Sequence, residues 1–595
     1  MKNRFLITTA DERSWRTDKP ILCLGEWCRL YERRQFWTQL DAEVVPYHWD
    51  DRQQLYKDYC YLRNLHEELL VEISTALNQF HNVDHSIRYW RILVGPWLGY
   101  FTQMLFDRWV MIQRAVATCP IEGTVILDLP LDDVIPNEMA DFDRLYISDK
   151  WNHYIYGRII QEWTEIPCEY LSVDPEDNKI PITATAQQLS LKRQLKQLVK
   201  RVLSRISISL TRPTDAFMIA SYLPRKESLK LQMALGQCPA FWDSPSPSIL
   251  KPVVSVRKTF QLLTNAVQGF EQCVRTLIPE QIPSIYLEGY TQLQDQITQL
   301  SWPQNPKFIF TSTSYSSDDV FKAWAAEKVD IGCPIVIGQH GGLYGNGLWS
   351  FCEEHELAIS DLFLTWGWTE DSSKHLSIGL LKLLGEGEGI WDPDGELLLV
   401  TCTLPRYSYW MASIVVAGQY FEYLKEQFSF VDVLPPRIRQ QLLVRLYSHP
   451  WYSSEVQQWR DRHPDVQLNL KQKPIKTLIQ QSRLYVATYN GTTFLETLGQ
   501  NIPTIMFWNP NYWELRSSAQ PYFEELKRVG IFHETPASAA AKVAEVWDDV
   551  PGWWNSSEVQ AARRTFCDRF ARMPENPTQV LKKALTELVE SKKAN

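Results

Sequence analysis

Residues 484–510 read LYVATYNGTTFLETLGQNIPTIMFWNP, and this stretch decides the fold of the C-terminal half. It parses as a buried strand, a turn at Asn490-Gly491, a helix opening at Thr492-Thr493, and a second strand from Pro503. Glu496 sits one helical turn into that helix. A strand feeding a helix start through small residues aims unpaired backbone N–H groups and the positive end of the helix dipole at one spot, which suits an anion. A carboxylate one turn in could take a sugar hydroxyl, so the unit suits the phosphate of a nucleotide-linked sugar. The competing reading is that Thr492 only caps a helix and Glu496 is an exposed side chain.

The rest of the chain repeats this rhythm. Strands are expected at residues 5–9 (FLITT), 43–49 and 124–129, with helices near 53–80 and 86–118 between them. Further strands are expected at 307–312, 334–339 and 362–366, then at 396–402, 442–450, 466–470 and 484–488. Helices fall at 318–328, 409–426 and 474–481, and the tail from about 536 is helical. Short apolar strands alternating with long helical patterns predict parallel sheets covered on both faces. The span 186–302 reads as a more helical, polar insertion, and the Gly- and Asp-rich stretch 385–395 as a connector.

The expected architecture is therefore α/β, with two Rossmann-like domains facing across a cleft and extra helical insertions in the N-terminal half. Residues 1–370 would form the N-terminal unit, 390–570 the C-terminal nucleotide-binding unit, and 571–595 a closing helix. Open α/β sheets bind ligands outside the carboxyl ends of their strands, and two such units facing each other leave a cleft for one.

Composition narrows the function classes. The 595 residues carry 61 Lys+Arg against 70 Asp+Glu, a net charge of −9 that argues against nucleic-acid binding. Aromatic residues are abundant, with 24 Trp, 26 Tyr and 24 Phe, which chiefly build large cores, while a share could line a carbohydrate pocket. The 11 cysteines are scattered without a CxxC pair, so neither zinc nor a disulfide framework is indicated and a cytoplasmic setting fits. The N-terminus turns charged at once, unlike a signal peptide, and no apolar run is long enough to span a bilayer. The richest run, residues 89–109, is broken by Arg91, Gly95-Pro96, Asp107 and Arg108 and reads as a buried helix pair. A basic helical face (Lys192, Arg193, Lys196, Lys200, Arg201, Arg205) is either solvated or a peripheral contact with anionic lipid or a lipid-phosphate acceptor at the inner face of the membrane.

Three loops past strand ends carry the candidate chemistry. In Gln339-His340-Gly341-Gly342, with Tyr344 and Gly345 behind, the glycines let backbone approach a ligand and the histidine can act near neutral pH. The competing reading is a Gly-rich turn whose histidine caps a helix or binds a backbone carbonyl. His449-Pro450 is the second, a strand-end imidazole whose direction the proline fixes. The third is the Asn490–Glu496 unit, with Asn490, Gly491, Thr492, Thr493 and Glu496 as donor-binding candidates.

The pairing of His449-Pro450 with the Thr492-Thr493 helix start resembles the C-terminal domain of GT-B glycosyltransferases. It is similar to the His-Pro and Ser-Ser/Thr signatures of enzymes with cytidine-nucleotide donors: bacterial sialyltransferases, capsule Kdo transferases and polyglycerol-phosphate polymerases. With FLITTADERSW, LCLGEWC (22–28) and QHGGLYG, nearly the whole chain resembles a transferase family of bacterial O-antigen and surface-polysaccharide gene clusters. The resemblance implies a CMP- or CDP-linked sugar as co-substrate, no further cofactor, and a glycan or lipid-linked glycan acceptor. It would place His449 on donor phosphate or nucleotide, Thr492 and Thr493 on the phosphate, Glu496 on the ribose, and His340 as a base or as a donor to the leaving phosphate. Asn-Gly-Thr-Thr stands here where the sialyltransferase pattern has serines.

Transfer from a sugar–phosphate bond needs the departing phosphate stabilised and the acceptor hydroxyl deprotonated. Asp11 or Glu12, past the first strand, could supply the base from the opposing unit, or could simply be a helix N-terminal pair. Arg406, after strand 396–402, is a candidate phosphate partner together with Gly341 and Gly342. No DxD-like motif stands at a strand end, so metal-independent transfer is expected. A GT-B-type sugar-nucleotide epimerase, a glycerol-phosphate-type transferase and a non-catalytic carbohydrate-binding protein are the alternatives.

Overall fold

The structure is a computed structural model, and it describes residues 3–173, 209–262, 267–370, 373–408, 411–447, 454–470 and 473–594. Three parallel sheets form its frame. The first comprises β1 (Arg4–Ile7), β2 (Ile21–Cys23), β3 (Ala42–Val44), β4 (Ile121–Asp128) and β5 (Cys168–Ser172), in the order β3-β2-β1-β4-β5. The second holds β6 (Phe217–Met218), β7 (Ile309–Thr311), β8 (Ile335–Gly338), β9 (Leu362–Thr365) and β10 (His375–Ser377), laid side by side in sequence order. The third runs β13-β12-β11-β14-β15-β16, built from β11 (Glu396–Val400), β12 (Leu442–Arg445), β13 (Gln467–Asn469), β14 (Ser482–Ala487), β15 (Thr504–Phe507) and β16 (Phe532–His533). This last order is doubly wound, reversing between β11 and β14, which is where such sheets open a crevice.

The opening stretch folds as read, into β14, a helix Thr493–Gly499 and β15. Alternation explains why the strand sits at the centre. Leu484 and Val486 point into a local core with Trp459, Ile505 and Phe507, while Tyr485, Ala487 and Met506 face the large core shared with the other two sheets. One face thus closes the third unit on itself and the other welds it to its neighbours. The residues 89–109 do form a buried helix pair, Ile87–Leu93 and Gly95–Thr118. Gly99 of that pair lets the helix Phe351–Ile359 come close, since a Cβ there would lie 1.9 Å from the Phe351 ring.

Several expectations change. The span 1–370, read as one Rossmann-like unit, carries two separate sheets, and β6 lies inside the span read as a helical insertion. Strands of two or three residues leave no alternation to see in a sequence. The helix expected over 409–426 is instead Tyr420–Val433. Residues 411–413 are drawn off by pairing: Ala412 bridges Ser350, and Met411 N–H donates to Gln103 Oε1 at 2.7 Å. Strand β12 ends at Arg445 rather than near 450. His449-Pro450 and the basic face of Lys192 to Arg205 lie outside the described residues. The closing helix, Pro577–Ala594, returns to the second unit, where Thr578 donates to Glu227 Oε2 at 2.9 Å. Among the described residues no helix is long and apolar enough to cross a membrane.

Candidate active site

The loop after β8 and the turn after β14 meet head-on. Gly342 N–H donates to Thr492 Oγ1 at 3.2 Å, and Asn490 Nδ2 donates to Asn346 Oδ1 at 2.8 Å. Asn346 Nδ2 in turn donates to Gly342 O at 2.7 Å, so the seam is closed by amides from both units. The backbones approach so closely that a Cβ on Gly342 would stand 2.0 Å from Gly491 O. Thr492 is the residue before the helix Thr493–Gly499, yet its side chain makes no capping bond and serves the facing loop instead.

The His340 loop is held from below. Gln339, fully buried, bonds Gly341 O through Nε2 at 2.9 Å and accepts from Trp366 N–H and Trp368 Nε1–H through Oε1. The helix Phe351–Ile359 adds two carboxylates one turn apart, which therefore share a face. Glu353 accepts from Gly345 N–H at 3.1 Å and pairs with Arg516 at 2.5 Å; burial raises its carboxyl to about 7 against the pull of that arginine. Glu356 accepts from the hydroxyls of Tyr315 and Tyr344, and its Oε1 lies 3.3 Å from His340 Nδ1.

Above the seam a cationic and an anionic group face each other. Lys382 Nζ stands 3.9 Å from Glu496 Oε1 and 4.6 Å from the centre of the Tyr222 ring, a cation–π arrangement. Burial raises the Glu496 carboxyl and Lys382 pulls it down, with the rise prevailing. Tyr222 lies edge-on to His340, 6.2 Å between ring centres, and burial followed by the charges of Glu356 and Glu496 raises its phenol. Its backbone is held at φ 62°, with Ala220 at φ 45°, so the loop after β6 stores strain where it presents the ring. Tyr447, half-exposed just beyond β12, is close enough to Tyr222 and Tyr489 to add to the rise of both phenols.

Of the sequence candidates, the structure brings together His340, Gly341, Gly342, Asn490, Gly491, Thr492, Thr493 and Glu496. Asp11, Glu12 and Arg406 lie instead at the first sheet, and His449 is outside the described residues. Asp11 caps the short helical turn Glu12–Ser14 and is gripped by Arg13 at 2.6 Å; burial raises its carboxyl, but the Arg13 bonds more than offset this and leave it lowered. Glu12 pairs with Arg33 on the exposed surface. Arg406 donates to Trp27 O and to Asp149 Oδ2, each at 2.7 Å, and so bridges the third unit to the first. Three residues of the cleft escaped the sequence reading: Tyr222, Glu356 and Lys382. For Glu356 a signal existed, since Glu353 and Glu356 in EEHE (353–356) sit at i,i+3 spacing in the segment that follows QHGGLYG (339–345).

Residues 4–585 match the family described as LIC12162 family transferase. The chain belongs to that family. Among curated proteins no relative matches it. Solved structures give faint likenesses. A Listeria monocytogenes protein assigned as a UDP-N-acetylglucosamine 2-epimerase is 11% identical with a TM-score of 0.35, covering 64% of this chain and 96% of its own. The kitacinnamycin glycotransferase is 13% identical with a TM-score of 0.33, over 64% of this chain and all of its own. Phytolacca americana UGT2, solved with UDP-2-fluoroglucose and pterostilbene, is 13% identical with a TM-score of 0.29, over 63% and 92%. Likeness at this level carries no inference about activity. The family assignment makes the chain a transferase, and His340, Lys382, Glu356 and Glu496 gather at the seam between its second and third sheets.

Proposed function

We propose that this chain is a glycosyltransferase that moves a sugar from a nucleotide-activated donor to a surface-polysaccharide or O-antigen acceptor. A cytidine nucleotide, CMP- or CDP-linked, is the favoured donor, and the reaction runs at the cytoplasmic face of the membrane without a resident metal. The observation that supports this reading is the meeting of Gly342 with Thr492 beneath His340, Lys382 and Glu496, at the carboxyl ends of two parallel sheets in a chain of a transferase family.

In this reading Lys382 offsets the charge of the departing phosphate and Glu496 takes a ribose or sugar hydroxyl. His340 removes the proton of the acceptor hydroxyl. His449, outside the described residues, is the further candidate for the donor phosphate or nucleotide.

A thermal-shift panel of CMP, CDP, UDP and GDP and their sugars tests the donor, because a ligand bound to the native state raises the apparent melting temperature. A rise with cytidine nucleotides, abolished in the double variant Thr492→Val/Lys382→Met, is the expected result. No rise with any nucleotide would overturn the proposal. Incubation with donor alone separates transfer from epimerisation, since epimerisation needs no second substrate.

A further inference from the structure

Glu356 is fully buried, and its charge state needs explaining. Its Oε1 already accepts two phenol hydroxyls, from Tyr315 and Tyr344. Both phenols are raised far above their ordinary value by burial and then by the charge of Glu356 itself, so they stay protonated as donors. An oxygen that collects two O–H donors behaves as a carboxylate acceptor. A buried carboxylate is costly unless a positive or proton-donating group offsets it. Its neighbour Glu353 has Arg516 for this, at 2.5 Å. Among the described residues the basic group within ion-pair distance of Glu356 is His340, whose Nδ1 lies 3.3 Å from the same Oε1.

The geometry is nearly but not fully closed. His340 Nδ1 and Glu356 Oε2 are both buried without a hydrogen-bond partner, although they belong to side chains in contact. Two orphaned polar atoms on touching side chains mark a pair meant to engage, because leaving either unpaired forfeits free energy. The His340 side chain is 26% exposed with its Nδ1 buried against the carboxylate, so its open edge is the Nε2 edge. Tyr344 and Tyr222 pack edge-on against the ring and limit its rotation.

We propose that Glu356 is the positioning residue that holds His340 as the Nδ1–H tautomer, leaving the Nε2 lone pair open to the cleft. The tautomer half of this inference stands on geometry; the catalytic half rests on the glycosyl-transfer reading. In that reading the acceptor oxygen bonds to the sugar's anomeric carbon as the carbon–phosphate-oxygen bond breaks, and the bonding pair leaves with the nucleotide phosphate. The acceptor's proton passes to His340 Nε2, and Glu356 stabilises the imidazolium so formed. Glu356 touches neither substrate.

Selective ¹⁵N-histidine labelling of the full chain, with His340→Gln to assign the signal, reads the tautomer directly. The wild type is expected to show a protonated Nδ1 and a bare Nε2. Glu356→Gln should abolish that signature, while Tyr344→Phe, which keeps the carboxylate, should retain it. With the donor found by the nucleotide panel, Glu356→Gln should lower kcat about tenfold or more at a donor KM within about twofold. A wild-type His340 protonated at Nε2 overturns the proposal even if Glu356→Gln does not fold. So does an unchanged tautomer in a folded Glu356→Gln. A tautomer shift in a protein that transfers no sugar from any donor would leave the positioning role standing and sink the transferase reading alone.

Discussion

Gly342 and Thr492 lie about 150 residues apart in sequence, yet the amide of the first donates to the hydroxyl of the second at 3.2 Å. The bond joins loops at the ends of two different sheets. Neither residue could reach its partner if Gly342 carried a side chain.

That contact yields a paired test. An alanine Cβ at 342 would meet Gly491 O at 2.0 Å, Gly491 C at 2.4 Å and Thr492 N at 2.8 Å, all backbone atoms that cannot step aside. At the adjacent Gly341 the nearest neighbour would be a Tyr344 ring carbon at 3.4 Å. Gly342→Ala should therefore force the loops apart, costing about 1–3 kcal/mol of stability and about a hundredfold in turnover, since catalytic groups misplaced by about 1 Å lose that much. Gly341→Ala should keep most of both. Equal effects in thermal melts and turnover would show that the close approach is unimportant.

Lys382 offers a second test. It is the cation nearest Glu496 among the described residues and lowers that carboxyl against burial. Lys382→Met keeps the apolar stem over Tyr222 and removes the charge. Donor affinity should fall about tenfold, equivalent to about 1.4 kcal/mol, and the remaining binding should depend less on ionic strength. The Glu496 carboxyl should move further up, because the opposing cation is gone. Titration calorimetry with the bound nucleotide at two salt concentrations checks both the loss and its salt dependence.

The sequence made the third sheet legible because β14 and β15 are continuous apolar runs flanking a Gly-Thr-Thr turn, a pattern with few other solutions. It also delivered the two loops that meet, from the glycines around His340 and from Asn490-Gly491. The partition of the N-terminal half was hidden, since β2, β3 and β6 are too short to display a period. Arg406 read as a phosphate ligand because strand-end arginines often are; its commitment to Asp149 and Trp27 O comes from packing between units, which no local pattern encodes. Glu356 and Tyr222 reach His340 from different elements, so only the fold reveals them together. The cytidine-linked donor, expected from the resemblance, is what the nucleotide panel tests; metal-free transfer, expected from the missing DxD-like motif, stays a proposal.

His153 gives a pH test at the first sheet. Its Nε2 accepts from Leu127 N–H at 3.0 Å and its Nδ1 lies 3.3 Å from Thr8 Oγ1, filling the point where strand order reverses between β1 and β4. Burial pulls its imidazole down to about 4 from the ordinary 6.5, against the opposing pull of Asp11 and Asp149. A group lowered on folding adds stability that is full above its unfolded value and is lost as pH falls through the folded one. The wild type should therefore weaken as pH drops from about 6.5 to about 4, by about 3 kcal/mol from this residue. His153→Gln keeps an acceptor for Leu127 N–H and cannot titrate, so its melting temperature should fall less over that interval. Parallel slopes for the two proteins would contradict the assignment.

Arg406 separates a phosphate ligand from a clamp between units. Its guanidinium spans Trp27 O and Asp149 Oδ2, and Asp149 also accepts from the hydroxyl of Tyr407 and from Ala10 N–H. This bridge ties the loop after β11 to the first sheet, and both partners are largely shielded, with side chains 18% and 26% exposed. A shielded, hydrogen-bonded ion pair of this kind should show a coupling of about 1–3 kcal/mol in a double-mutant cycle. Arg406→Ala and Asp149→Asn should each lower the melting temperature, and together by less than the sum. Nucleotide affinity should stay within about twofold of wild type in both, because neither residue faces the cleft at Gly342 and Thr492. A large loss of affinity in Arg406→Ala with none in Asp149→Asn would instead place the guanidinium on the donor phosphate, and would move the donor site toward the seam with the first sheet.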